Sequence, residues 1–427
     1  MKKYLITLVM VLPLIGISQQ EKKFGIKFHG FVKTDIFYDS RQTVDAREGH
    51  FLLYPKDEDL DDLGADINAA SKFNILSIQT RLKGVITGPD IWGAKTSGLI
   101  EGAFFGNIKT DINGFRLRHA FVKLSWPKTE LLAGQFWHPM FVTGCFPGTV
   151  SFNTGAPFEP FARNPQVRFT KKFGKVNLIA TALEQVDFVS TGPHGARRTY
   201  LINSMPELNL RLEYKSEKFY TGLGGNFKRL KPTLSISTYT NNDNITLKAN
   251  DYVSGMSFYG FVKIAPKPVT VKLYGVYGQM MYSMTMLGGY AVSGADSIPV
   301  SGNYAYSSFN YTPINTMSFW FDFNTNGKKL KVGLFAGYTK NLGTSDKKYL
   351  FPDGAGQTYA RGANIAYAYR IAPRLIYNTG KFRIAPELEY TVAAYATKDS
   401  KIDEYGIITD PKEIGNFRVL LGVYYFF

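Results

Sequence analysis

The chain has 427 residues, 44% hydrophobic and 15% aromatic, with 33 Phe, 27 Tyr and 41 Gly. Its formal charge is +16, and a single cysteine, Cys145, excludes an internal disulfide framework. Length alone would allow about three ordinary domains, but Tyr, Phe and Gly in many short alternating runs predict one large all-β unit.

Residues 1–18 read as a secretory signal peptide. Lys2 and Lys3 precede an apolar run from Leu5 to Ile15, interrupted only by Thr7 and Pro13 and too short to span a bilayer. Gly16 and Ser18 place small residues before a cleavage point after Ser18. No cysteine follows to carry a lipid. Loss of Lys2 and Lys3 takes the charge from +16 to +14 over residues 19–427. An exported barrel makes nucleic acid a remote partner. The basic excess then points to anionic headgroups or to a lumen that favours anions.

The rest reads as an all-β transmembrane antiparallel β-barrel of about 16 strands. The strand-like segments are 24–39, 71–87, 92–108, 114–126, 129–138, 165–173, 175–188 and 206–216. They continue with 218–240, 252–266, 268–287, 313–325, 329–342, 359–377, 381–397 and 414–427. Short polar junctions at 126–129, 172–175, 215–218, 266–268, 325–328 and 379–381 predict tight periplasmic turns. Long links at 40–70, 139–164, 189–205, 241–251, 288–312, 343–358 and 398–413 predict extracellular loops. The first carries Asp57, Glu58, Asp59, Asp61 and Asp62, read as a solvated acidic run, with Ca²⁺ or cations bridging lipopolysaccharide as the sharper reading. The last strand sets Phe417, Val419, Leu421, Val423, Tyr425 and Phe427 on one face. A strand closing on Phe is the pattern by which outer-membrane barrels are assembled, so the assembly machinery is an expected partner through Phe427. The predicted location is the outer membrane of a Gram-negative bacterium. No plug domain is expected before the first strand.

Alternation separates two faces of each strand. Leu76, Ile78 and Leu82 oppose Ser77, Gln79, Arg81 and Lys83; Val167, Phe169 and Phe173 oppose Arg168, Thr170 and Lys172. Leu208, Leu210, Leu212 and Tyr214 oppose Asn209, Arg211 and Glu213. A charge on the lipid face costs about 2–4 kcal/mol at the midplane, so the charged faces turn inward. The lumen is thus expected to carry Arg81, Arg116, Arg118, Arg168, Arg211, Arg370, Arg383 and Arg418, with Asp35, Glu101, Glu213, Glu387 and Glu389. These arginines either pair across the wall as struts or bind carboxylates and phosphates bidentately. The segment 139–164 is aromatic and weakly charged, a liability in water. It is expected to fold inward as a constriction, burying Phe146, Phe152, Phe158 and Phe161, with Arg163 at its base. A surface cap or subunit contact is the alternative. The scattered His residues and lone Cys145 offer no metal-ligand spacing, and neither metal nor cofactor is expected.

The run Phe115-Arg116-Leu117-Arg118-His119-Ala120 is followed by Gly134-Gln135-Phe136-Trp137 and then Asn164-Pro165-Gln166-Val167-Arg168. With Gln79-Thr80-Arg81 before them, these motifs resemble the DcaP-like outer-membrane porins across roughly 70–185. The resemblance implies a sixteen-stranded homotrimeric porin passing small organic anions such as dicarboxylates. It carries Arg81, Arg116, Arg118 and Arg168 at matching motif positions. The chain departs from the family in lacking an N-terminal helical segment and in Phe136 and His138-Pro139 around Trp137. From the residues alone, two other classes compete. A lipase- or protease-type barrel would need a nucleophile–base pair, and no GxSxG or metal motif occurs. A hydrophobic-compound transporter would use the aromatic loop 139–164.

Overall fold

The computed structural model describes residues 24–106, 111–240, 243–300, 303–352, 354 and 356–427; the expected leader, 1–18, lies outside them. Among the described residues sixteen strands form the wall. The first four are β1 Gly25–Asp39, β2 in two pieces (Lys72–Leu76 and Arg81–Thr87), β3 Lys95–Ala103 and β4 Arg116–Ser125. Next come β5 Thr129–Trp137, β6 Arg163–Phe173, β7 Val176–Leu183 and β8 Glu207–Lys215. Then follow β9 Phe219–Leu230, β10 Val253–Ile264, β11 Val269–Gln279 and β12 Asn303–Thr325. The last are β13 Leu330–Thr344, β14 Ile365–Thr379, β15 Phe382–Tyr395 and β16 Lys412–Phe426. Each pairs antiparallel with its neighbours, and β1 pairs with β16 from Phe31↔Phe426 to Asp39↔Arg418, closing the barrel.

The faces alternate as membrane-spanning strands require. Ile26, Phe28 and Val32 of β1 face outward while Lys33 and Asp35 are fully buried. Val167 and Phe169 of β6, Leu208, Leu210 and Leu212 of β8, and Phe382, Ile384 and Leu388 of β15 are likewise exposed on the outside. Their neighbours Asn209, Arg211, Glu387 and Glu389 are buried inside. An apolar exterior with a polar interior inverts the soluble pattern, because the solvent outside is hydrocarbon. Among the described residues no helix is long and apolar enough to cross a membrane.

Four sequence expectations need correction. The segment 71–87 breaks at 77–80, so Ile78 is buried rather than sharing the outward face of Leu82. The segment 218–240 stops at Leu230; Ser235–Thr240 instead pairs with Asp243–Lys248 as a separate hairpin, after Pro232 removes a ladder donor. The segment 268–287 stops at Gln279, where Met280 turns left-handed (φ 58°) into a short 3-10 turn. The link 288–312 is itself structured: Gly288–Val300 pairs with an extension of β12. An eighth long link, 104–115, joins β3 to β4 and was not expected.

The first link also differs from a purely solvated run. Thr43–Ala46 and Phe51–Pro55 form a hairpin, and Phe51, Leu52, Leu53 and Tyr54 are buried inside the barrel mouth. Its acidic part stays outside, where Asp61 and Asp66 accept backbone N–H bonds within the turn. No cluster able to hold a metal ion occurs among the described residues.

Candidate functional site: the inward loop and its arginine wall

The chain leaves β5 at Trp137, crosses the interior and rejoins the wall at Arg163. Between them Met140, Phe141, Val142, Cys145, Phe152, Ala156, Phe158 and Phe161 are all buried. The apolar side chains drive the segment inward, and the wall then has to satisfy its backbone. It does so all round the barrel. On one side Arg211 Nη1 donates to Pro139 O (2.7 Å), Tyr274 Oη to Met140 O (3.0 Å) and Lys272 Nζ to Phe146 O (2.9 Å). On the other, the N–H groups of Val150 and Ser151 donate to Glu387 at 2.8 and 2.7 Å, and Lys33 Nζ donates to Val150 O at 2.8 Å. Asn153 Nδ2 donates to Glu389 (3.1 Å), and Arg370 Nη1 to Ala156 O (2.9 Å). Trp320 Nε1 donates to Glu159, whose carboxyl burial pushes well above its ordinary value. Gly337 makes room for Phe158: a Cβ there would lie 2.6 Å from the ring.

Three of the four expected constriction residues, Phe152, Phe158 and Phe161, lie in this packed interior. Phe146 is 39% exposed; it stacks on Phe141 at 5.6 Å, with the Lys272 ammonium 5.6 Å from its centroid. Cys145 is fully buried, with Sγ 3.7 Å from Val262 O, and burial pushes its thiol up to about 12.

The arginines fall into two groups. Arg118 Nε lies 2.8 Å and Arg81 Nε 3.4 Å from Glu101 Oε1. Arg163 Nη2 lies 2.6 Å from Asp187 Oδ2, and Arg116 pairs with the other oxygen of the same carboxylate. The two halves meet on one ring: the Arg118 and Arg163 guanidiniums sit 5.9 and 5.2 Å from the Trp137 centroid. Four guanidiniums therefore share two carboxylates. Arg197 Nη2 adds a fifth, donating to Asp187 O at 3.3 Å, and Arg47 lies over Phe105 and Phe188. Burial pushes Asp187 up, but Arg163 and Arg116 outweigh it and hold the carboxyl below its ordinary range. Arg168 also belongs to this side: Nη2 donates to Trp137 O (2.9 Å), its guanidinium lies 5.3 Å from the Phe136 ring, and no carboxylate among the described residues is in ion-pair range.

The second group is held by fixed partners, carboxylates for two of its members and uncharged acceptors for the other two. Arg418 grips Asp39, Arg211 pairs with Glu213 at 3.1 Å, and Arg370 is held by Thr391 Oγ1 and the carbonyls of Leu53 and Ala156. Arg383 donates to Asn378 Oδ1 and lies over Tyr424 and Phe426. These four act as struts. The sequence did not reveal Arg197 or Arg47, which stand in links with no alternation to assign them a side, and it placed Asp187 in a strand over 175–188 that in fact stops at Leu183; nor did it show that His50 meets Asp35 at 2.5 Å and stacks on Phe152.

A closed, outward-apolar barrel of sixteen strands with links folded inside and a polar inner wall is the architecture of the porin fold. No protein-family model and no curated protein matches the sequence. Solved structures do. The outer membrane channel DcaP of Acinetobacter baumannii aligns over 96% of this chain and 99% of its own, with TM-score 0.65 and 16% identity. OmpT, an outer membrane protein of Vibrio cholerae, aligns over 95% and 98%, with TM-score 0.54 and 11% identity. An anion-selective porin from Comamonas acidovorans aligns over 95% and 100%, with TM-score 0.51 and 12% identity. At these identities the likeness establishes the fold, and it agrees with the DcaP-like motifs of 70–185.

Proposed function

We propose that the protein is an outer-membrane porin for passive diffusion of small hydrophilic solutes, preferring organic anions such as dicarboxylates. One observation carries the preference: among the described residues Arg81, Arg116, Arg118 and Arg163 share only Glu101 and Asp187, leaving positive charge unneutralised beside the inward loop. Arg168 adds a guanidinium with no carboxylate partner among the described residues, available for a bidentate carboxylate. Positive charge in a narrow, partly dehydrated passage raises local anion concentration and repels cations. The DcaP-like resemblance and the anion-selective neighbour point the same way. Residues 139–164 act as the constriction, with Phe152, Phe158 and Phe161 as its packed core. The functional unit is a homotrimer, a state named for one Vibrio OmpT structure of the same fold. Residues 1–18 direct export, and Phe427 engages barrel assembly.

The test is reversal potential in a planar bilayer under a salt gradient. The wild type is expected to prefer anions, and Arg81→Gln with Arg168→Gln to move the potential toward cations. A cation-preferring wild-type pore overturns the preference; hydrolysis of lipid or peptide without conductance overturns the porin.

A further inference from the structure

An open cavity of about 520 Å³ lies at the long-loop end, between the link 231–252, the strand Gly288–Val300, the extension of β12 and the link 345–364. It is separate from the arginine wall, and neither fold nor constriction uses it. Its acids are fixed in place. The Phe309 N–H donates to Asp251 Oδ2 at 3.1 Å, and the Asp346 N–H donates to Thr312 Oγ1 at 2.9 Å. Neither Asp251 nor Asp346 forms an ion pair among the described residues, and the nearby Lys347 is already paired with Glu404 at 2.7 Å. The aromatic floor is also held: Tyr311 meets Tyr290 and Phe309 edge-on at 5.7 and 6.3 Å. The Tyr311 hydroxyl is buried without a hydrogen-bond partner among the described residues, although an unsatisfied buried hydroxyl is costly.

We infer that this cavity is a saccharide-binding site. The lining offers acceptors in the two carboxylates, donor and acceptor together in Asn310 and Ser293, and ring surface in Phe309 and Tyr311. A small anion would meet two carboxylates. A simple cation would leave the amide and hydroxyl donors unmatched. A sugar both donates and accepts at every hydroxyl and presents an apolar C–H face to a ring, so it matches the whole lining. The volume falls within the range of small-molecule sites. The same chemistry could come from a free oligosaccharide awaiting passage or from a surface glycan of lipopolysaccharide.

The experiment titrates the folded, detergent-purified full chain calorimetrically with maltotriose, with N,N′-diacetylchitobiose and with polysaccharide released from lipopolysaccharide. Saturable binding of a free oligosaccharide supports a solute-capture site; binding of the polysaccharide alone supports a glycan contact. In either case Asp251→Ala and Asp346→Asn should each weaken binding about tenfold, the loss expected for one hydrogen bond to a charged group. Heat-modifiable gel migration checks that both variants fold, and bilayer selectivity should not change. Absence of binding by all three probes, or equal binding by both folded variants, overturns the inference. Saturable binding of spermidine in their place also overturns it, by making the cavity an organic-cation site. Conductance in the same preparation is read separately, so failure here leaves the porin reading intact.

Discussion

Asp39 and Arg418 face each other across the seam between first and last strands, and the guanidinium holds the carboxylate through bonds of 2.8 and 2.7 Å. Both side chains are fully buried, and Arg418 Nη2 also donates to Gly49 O (2.7 Å), tying the first link to the seam. Breaking such a pair leaves a buried charge uncompensated, a loss of about 3–5 kcal/mol. Arg418→Leu should therefore lower the temperature of the heat-modifiable transition sharply. Asp39→Leu with Arg418→Leu should recover part of it, because no lone charge remains. A single mutant as stable as wild type would mean the pair contributes nothing.

The end of that seam is held by reciprocal bonds between Gly30 and Phe427, each 3.2 Å. Deleting Phe427 removes both and the terminal aromatic. Reduced surface-exposed, folded protein is the expected result, measured by protease protection and gel shift in cells.

Glu387 tethers the inward loop through the N–H groups of Val150 and Ser151. Glu387→Ala leaves two buried donors unpaired, at about 1–3 kcal/mol each. Single-channel recordings should show more frequent current steps with the barrel still assembled. Deleting 146–158 should raise conductance and admit larger solutes. Unaltered conductance after the deletion would move the constriction elsewhere.

Cys145 is enclosed, with its thiol pushed up to about 12. Since the thiolate is the reactive form, a maleimide should leave the folded barrel unlabelled at neutral pH and label it fully once unfolded. The residue thus reports loop release: Glu387→Ala should label faster than wild type.

Asp187 anchors Arg116 and Arg163 from the link 184–206. Its carboxyl is depressed in the folded state, so its stabilisation is complete above the ordinary carboxylate value of about 4 and is lost only as pH falls through the lower folded value. Selectivity should be constant from about pH 8 to pH 5. Asp187→Asn should increase anion preference across this range by removing one of the two shared carboxylates. A titration of selectivity centred above about pH 5 would assign control to another group.

The outward and inward faces of β1, β6, β8 and β15 were legible because alternation is local: a run of residues at period two carries its own record of which side meets lipid. Charge parity placed Arg168 and Arg211 inside, and Phe content turned 139–164 inward, for the same reason. Local pattern failed where the chain breaks: at 77–80, at Pro232 and at Met280, a bend or turn resets the parity. It also missed the buried run Phe51–Tyr54, whose neighbours are acidic and whose burial comes from the barrel mouth. Which arginine binds and which merely braces is a property of closure and register. Arg370 finds its acceptor at Leu53, 317 residues away, and Arg116 finds Asp187 at a separation of 71. Only the closed barrel brings those groups together, so the tertiary structure alone decides that Arg418 meets a buried carboxylate and Arg370 backbone carbonyls, while four guanidiniums around Trp137 share two carboxylates.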